Sequence, residues 1–459
     1  MHLAGFETHK IQVRNTNPAM PAVTWLLFAG IAISLFLGVP YELKRANMNA
    51  VGESADADRA TYSLGLSYLM LLTFAILNPS LVLTQFWRLV SERLIFMFFL
   101  LAILLIAVAS LFTVTETMTY VFIVVDILKY FAFICLLPLI IKELQPLLRP
   151  GYITFFFFLT ALALMYLLLQ EGTSRFTSGS RQENVRLGFG NISTAAGNHM
   201  AAVVAAIAVA IKGLRSLHYW HVALLTLSAI MLTIGIGFTG ARAALVFVIG
   251  GSALYFIIRS LKNPLLIVIC FTLVLSGSFF LLTSYDSIVN ALPDAWQARI
   301  ERRGGADVTT GRLEIWSDYL LYFRENPLEL VFGIKEGKFL GQAAHNWFLG
   351  MTAVHGGFVM LLFLLYYSGV MVTAWRTVQA TESRVWSVIC CVLAMGFLHG
   401  MVDNSLFTNG SVLSFIWYGC TGWVCYEGIR RGEWQRRRAT LPRTVYTDND
   451  TTHNPYQLS

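Results

Sequence analysis

The sequence predicts an all-α polytopic membrane protein, and three observations favour this fold class. Of the 459 residues, 56% are hydrophobic and only 13% are charged, whereas soluble proteins carry about 25% charged residues. Apolar stretches long enough to cross a bilayer recur along nearly the whole chain. The six cysteines all lie within these stretches, where they behave as small buried hydrophobic side chains and exclude a secreted disulfide scaffold.

The apolar stretches predict about twelve transmembrane helices. A helix rises about 1.5 Å per residue, so stretches of about 17 to 24 residues cross a hydrocarbon core about 30 Å thick, the shorter ones with local thinning of the bilayer. The predicted helices are residues 22–39, 61–83, 94–114, 118–141, 152–169, 194–211, 220–238, 242–258, 265–283, 356–375, 385–402 and 410–426.

The distribution of Lys and Arg predicts that both termini are cytoplasmic. With the N-terminus inside, 18 Lys and Arg residues lie in the termini and short loops of the cytoplasmic side, and 7 lie in the short loops of the outer side. The net charge of +7 is therefore an orientation signal, and we expect no nucleic-acid partner.

The predicted regions are a cytoplasmic N-terminus (1–21), nine helices (22–283), a long outer loop (284–344), a re-entry segment with three helices (345–427) and a basic cytoplasmic tail (428–459).

The long outer loop contains one predicted helix. Residues 310–323 carry apolar side chains at helical spacing, and Pro327 follows shortly after them. This pattern is typical of an amphipathic helix that lies on a membrane face.

Three arginines of the outer side are candidates for binding an anion. Arg242 follows a tight turn and begins a predicted helix, so its guanidinium and the free N–H groups of the helix start would both suit phosphate oxygens. The alternative is an arginine that extends to the membrane interface. Arg186 and Arg312 are further candidates, although either one alone is more often a solvated surface charge.

A His-Asn pair is the candidate for acid–base chemistry. His345 and Asn346 lie where the long outer loop re-enters the membrane. A histidine there can titrate near neutral pH and accept a proton from a hydroxyl group, and the alternative is a hydrogen-bonded interfacial histidine. Structural roles are favoured for the other histidines near the outer face, His199, His355 and His399.

Other possible sites are weaker. Asp126 and Lys129 lie three residues apart within an apolar stretch, where we expect them to pair with each other. The string from Asp56 to Asp58 is interpreted as a solvated acidic loop. Neither a phosphate-binding GxxxxGK[ST] loop nor an HExxH or paired CxxC motif occurs, so we expect no ATP-driven work, no metal and no cofactor.

These elements together resemble the O-antigen ligase family of bacterial membrane enzymes, which belongs to a wider ligase and polymerase superfamily. The resemblance covers roughly residues 180–410 and includes an arginine at an outer helix start, a long outer loop and a His-Asn pair before a helix. The spacing that carries it is Arg242, Gly311-Arg312, Trp316, Pro327, Gly333, His345-Asn346 and Gly356-Gly357.

The resemblance implies a metal-independent, inverting glycosyltransferase of GT-C-like architecture in the bacterial inner membrane, with a periplasmic active site. The donor would be a polysaccharide on undecaprenyl pyrophosphate, and the acceptor a sugar hydroxyl of lipid A-core. His345 and Arg242 would be catalytic, and substrate binding would involve Arg186, Arg312 and Asn346.

Three alternatives stay open from the sequence. An O-antigen polymerase would use the same donor and similar arginines to extend repeat units on the lipid carrier. A protein-glycosylating relative would carry an extra outer C-terminal region. A polysaccharide-lipid transporter or flippase would depend on charged groups near the membrane midplane, such as Asp126 and Lys129.

Overall fold

The computed structural model describes residues 71–113, 127–128, 130–144, 149–176, 192–214, 217–239, 241–260, 312–333, 344, 346–381, 383–401 and 412–428. These parts of the chain are helical and contain no strands. The helices are α1 (Pro79–Glu92), α2 (Leu94–Thr113), α3 (Leu137–Leu144), α4 (Pro150–Phe176), α5 (Ile192–Gly213), α6 (Tyr219–Thr239), α7 (Arg242–Ser260), α8 (Arg312–Glu325), α9 (Pro327–Phe332), α10 (Trp347–His355), α11 (Gly357–Thr381), α12 (Arg384–Gly400) and α13 (Val412–Glu427). A π-helical turn, Ala132–Leu136, precedes α3.

Several predictions lie outside the described residues. They concern the predicted helices at 22–39 and 265–283, the N-terminal region, the tail beyond residue 428, and the acidic string at Asp56 and Asp58. The side chains of Asp126 and Lys129 lie outside them as well.

Two helices in the described part of the chain are long and apolar enough to cross a membrane. They are the first 19 residues of α6, Tyr219–Gly237, and the 25-residue α11. Helices α1 and α2 pass the same test together but are bent by 106° at the break between them, which makes a third candidate span if the pair counts as one. Apolar stretches in α4, α5, α7 and α12 are shorter. The described residues thus contain two or three candidate spans, and the predicted number of twelve stays a prediction.

Most predicted helix ends lie within a few residues of the observed ones, but three helices continue further. Helices α4 and α11 end at Phe176 and Thr381, seven and six residues past the predicted ends at residues 169 and 375. A predicted helix ended at Leu83, but α1 begins at Pro79 and continues to Glu92. Proline suits the first position of a helix because its φ is already helical and its missing N–H would have no partner there. Arg88 therefore lies within a helix and not in a loop.

The core is built around α5, which packs against α6, α7, α12 and α13. Its buried residues include the small side chains of Ala201, Ala202 and Ala205, which allow close helix approach. The glycines of α12 and α13 serve the same purpose, because a Cβ at Gly396 would lie 2.1 Å from Cδ1 of Trp417 and one at Gly422 would lie 2.1 Å from the carbonyl oxygen of Ile134.

The five cysteines in the described part of the chain are free, as predicted. Four of them are buried and Cys420 is partly buried. They fill space between helices as small apolar side chains.

Basic residues collect at one end of the helix bundle, which we call the basic end. There Arg93 donates a hydrogen bond to the carbonyl oxygen of Gly428 at 2.5 Å, and Lys142 pairs with Glu427 at 2.6 Å. The end of α5 meets the start of α12, because a Cβ at Gly213 would lie 3.6 Å from the side chain of Val385. Gly428 lies against α11, because a Cβ there would lie 2.6 Å from Cγ2 of Thr373, and α11 ends at Thr381, shortly before α12 begins. The helix termini at Lys212 and Arg384 therefore belong to the same end.

Candidate functional site

The opposite end of the bundle, which we call the site end, begins with Asn346. Its Oδ1 accepts a hydrogen bond from the backbone N–H of Leu349 at 3.2 Å and so caps α10. Its Nδ2 donates to the carbonyl oxygen of Met401 at 3.0 Å, just past the last turn of α12. One side chain therefore joins the start of α10 to the end of α12, and it satisfies backbone groups that helix ends leave free.

A buried polar pair ties the end of α12 to α5. Nε2 of His399 lies 2.9 Å from Oδ1 of Asn198, so this nitrogen carries the proton and donates it. His399 is 3% exposed and Asn198 is fully buried. Asn198 lies in the second turn of α5, and the segment that contains Arg186, which is outside the described residues, immediately precedes that helix.

Helix α7 reaches the site end through Phe247, whose ring meets His399 edge to face with centroids 6.3 Å apart. Phe247 lies five residues after Arg242, which begins α7 as predicted. The structure describes the backbone of Arg242 but not its side chain. The start of α7 therefore lies near the end of α12, which Asn346 also contacts.

Helix α8 brings the residues of the long loop to the same end. It begins at Arg312, and one turn later Nε1 of Trp316 donates a hydrogen bond to the carbonyl oxygen of Ala344 at 2.8 Å. Ala344 directly precedes His345, which itself lies outside the described residues. As with Arg242, only the backbone of Arg312 is described. This hydrogen bond therefore joins the first turn after Arg312 to the residue next to His345.

The buried face of α8 packs on protein. The rings of Tyr319 and Phe323 form a small core with Ala344 and Ala353. The helix was predicted and is present, but its largest apolar side chains face α10. Its exposed residues include both Asp318 and Leu320, and the predicted position of α8 on a membrane face stays a prediction.

Two glycines of the spacing that resembles the O-antigen ligase family form a close backbone contact. Gly333 and Gly356 have positive φ angles of 81° and 94°, which residues with a Cβ rarely adopt. A Cβ at Gly356 would lie 2.1 Å from the carbonyl oxygen of Val331, and one at Gly333 would lie 2.7 Å from the backbone nitrogen of Gly356. These glycines let the end of α9 pack directly on the junction between α10 and α11.

The structure thus brings the backbones of Arg242, Arg312 and Asn346 to one end of the bundle. Both polar atoms of the Asn346 side chain bond to the protein and so position α10 and α12, while its part in substrate binding stays a prediction. Asn198 was not among the site residues predicted from the sequence. A polar side chain inside an apolar helix requires a partner, and this signal could have identified it.

No family model matches the sequence, and a comparison with curated proteins gives no match. Within the described residues, no group of three or more His, Cys, Asp or Glu side chains could hold a metal ion. The described residues therefore form an all-helical bundle with two or three candidate membrane spans, in which several helix ends meet around Asn346.

Proposed function

We propose that the chain is an O-antigen ligase, a membrane glycosyltransferase of GT-C-like architecture with about twelve transmembrane helices. It would transfer O-antigen polysaccharide from undecaprenyl pyrophosphate to a sugar hydroxyl of lipid A-core, at the periplasmic face of the inner membrane. The observation that carries the proposal is the hydrogen bond from Trp316 to Ala344. It joins the helix that begins at Arg312 to the residue before His345, two parts of the spacing on which the resemblance rests.

The proposed chemistry needs a base and a site for negative charge. His345 takes the proton of the acceptor hydroxyl, whose oxygen attacks the anomeric carbon of the donor and inverts its configuration. The bond between that carbon and the pyrophosphate oxygen breaks, and the pyrophosphate leaves on its lipid. Arg242, Arg312 and Arg186 stabilise the charge that collects on the leaving group, and a positioned base contributes a factor of roughly 10² to 10⁴.

The sidedness of the bundle supports a periplasmic site. Arg93, Lys142, Lys212 and Arg384 belong to the basic end, and the helix starts at Arg242 and Trp347 belong to the other. By the positive-inside rule the basic end is cytoplasmic. The site end then faces the compartment in which a lipid-linked polysaccharide meets lipid A-core.

The test is a surface-polysaccharide gel from a strain in which this gene is deleted and then complemented. The wild-type chain should restore polymer on lipid A-core, and His345→Ala should fail while long polymer accumulates on the lipid carrier. His218→Ala is the matched control, since His218 is exposed next to the start of α6 at the basic end, and it should restore the polymer.

Two outcomes would overturn this assignment. If the deletion strain still attaches a single repeat unit to the core, transfer to the core is intact and the chain is the polymerase. If His345→Ala and Arg242→Ala both restore the polymer while Asp126→Ala does not, a transporter explains the result better.

A further inference from the structure

Helix α9 is apolar but contributes no buried residue. Leu328 is 72% exposed and Phe332 is 60% exposed, and Leu330 and Val331 are exposed as well. Exposed apolar area costs about 25 cal/mol per Å² in water, so four such side chains on a six-residue helix require an explanation.

The position of α9 indicates what covers these side chains. Its backbone touches the start of α11, because a Cβ at Gly357 would lie 2.9 Å from the carbonyl oxygen of Leu330. Among the described residues, α11 is one of two helices that are long and apolar enough to span a membrane on their own. Phe358 and Leu361, in its first turns, are exposed too. The apolar surface of α9 is therefore continuous with the exposed surface at one end of a candidate span.

The single charge of α9 is directed toward the protein. The carboxylate of Glu329 accepts a hydrogen bond from the hydroxyl group of Tyr322 on α8. The remaining side chains of α9 carry no charge, whereas Arg324 and Glu325 at the end of α8 are exposed. Apolar side chains next to a charged turn are the arrangement that suits the boundary between acyl chains and headgroups.

A protein partner fits this surface less well. Standard protein interfaces bury about 800 Å² on each partner, and a six-residue helix offers much less. We therefore propose that α9 is an interfacial helix whose Leu328, Val331 and Phe332 insert into the acyl chains of the leaflet at which α11 begins. The inference rests on the membrane location in the proposed function, and it is independent of the proposed reaction.

The insertion of α9 would fix the distance between the candidate site and the membrane surface. The two glycine contacts hold α9 against the start of α11, and α8 leads directly into α9 at Pro327. An α9 inserted in the lipid would hold α8, and with it Trp316 and Ala344, close to the membrane surface. A lipid-linked donor also presents its pyrophosphate close to the membrane surface.

The test measures contact with lipid directly. The variants Leu328→Cys and Phe332→Cys in the full-length chain are labelled with bimane and reconstituted in phosphatidylcholine–phosphatidylglycerol vesicles, with or without acyl-chain bromination. The matched control is Asp318→Cys on the exposed face of α8. Wild-type chain carried through the same labelling gives the background from the native cysteines, of which the five described are buried or partly buried.

We expect brominated lipid to quench the bimane at positions 328 and 332 at least threefold more than at position 318. Equal quenching at all three positions would overturn the proposal. Pyrene labels at 328 that form excimers, without quenching by brominated lipid, would also overturn it, because a second copy of the chain would then cover the helix. None of these measurements depends on glycosyl transfer. A result against lipid insertion of α9 can therefore be distinguished from a result against the proposed function.

Discussion

At the scale of single residues, Asn346 performs two separable tasks. Asn346→Asp keeps an acceptor for the N–H of Leu349 but removes the donor to Met401, whereas Asn346→Ala removes both. Loss of an N-cap costs about 1 kcal/mol, and loss of a hydrogen bond costs about 0.5–1.5 kcal/mol. We expect the midpoint temperature of thermal unfolding in detergent to be highest for the wild-type chain, lower for Asn346→Asp and lowest for Asn346→Ala. Equal stability of Asn346→Ala and wild type would contradict the observed cap.

The buried pair of His399 and Asn198 gives a second prediction at this scale. Asn198→Leu leaves Nε2 of His399 buried without its acceptor, which costs about 1–3 kcal/mol. The double variant Asn198→Leu/His399→Phe removes both polar groups and should be more stable than Asn198→Leu alone. Chemical denaturation of the wild-type chain and both variants measures this difference, and a double variant less stable than Asn198→Leu would show that the pair does not act as a unit.

At the scale of elements, the glycine contact between α9 and the junction of α10 and α11 can be tested. Gly356→Ala places a Cβ against the carbonyl oxygen of Val331 at a positive φ, so α9 must move away. We expect a loss of bromolipid quenching at position 332 and at least a tenfold loss of polysaccharide transfer. The matched control is Gly237→Ala in α6, where a Cβ would meet nothing within 4 Å. If both variants behave alike, the close contact does not hold α9 in place.

The elements also show what could be predicted from the sequence. The start of α7 at Arg242 was predicted because a short turn separates two apolar stretches, and α8 was predicted from its helical spacing and the following proline. The partner of its apolar face was not predictable, since Tyr319 packs on Ala344 and Ala353, which are distant in sequence. The bond between Asn198 and His399 spans 201 residues, and hydrophobic periodicity contains no information about such pairs.

At the scale of the whole molecule, the separation of the basic end from the site end predicts accessibility. In cells with an opened outer membrane, the cysteine of the Asp318→Cys variant should react with a membrane-impermeant maleimide applied from the periplasmic side. The cysteine of the His218→Cys variant, next to the start of α6, should react only after the inner membrane is opened. The reverse pattern would place the site end in the cytoplasm and remove the basis for a periplasmic reaction.

Purified protein in vesicles tests the central claim most directly. The vesicles would contain polysaccharide on undecaprenyl pyrophosphate and lipid A-core, with product followed on a gel. The account predicts core-linked polymer without ATP or added metal, a loss of at least 100-fold for His345→Ala and Arg312→Ala, and no change for His218→Ala. Wild-type chain that forms no core-linked product, or His345→Ala at full activity, would contradict it.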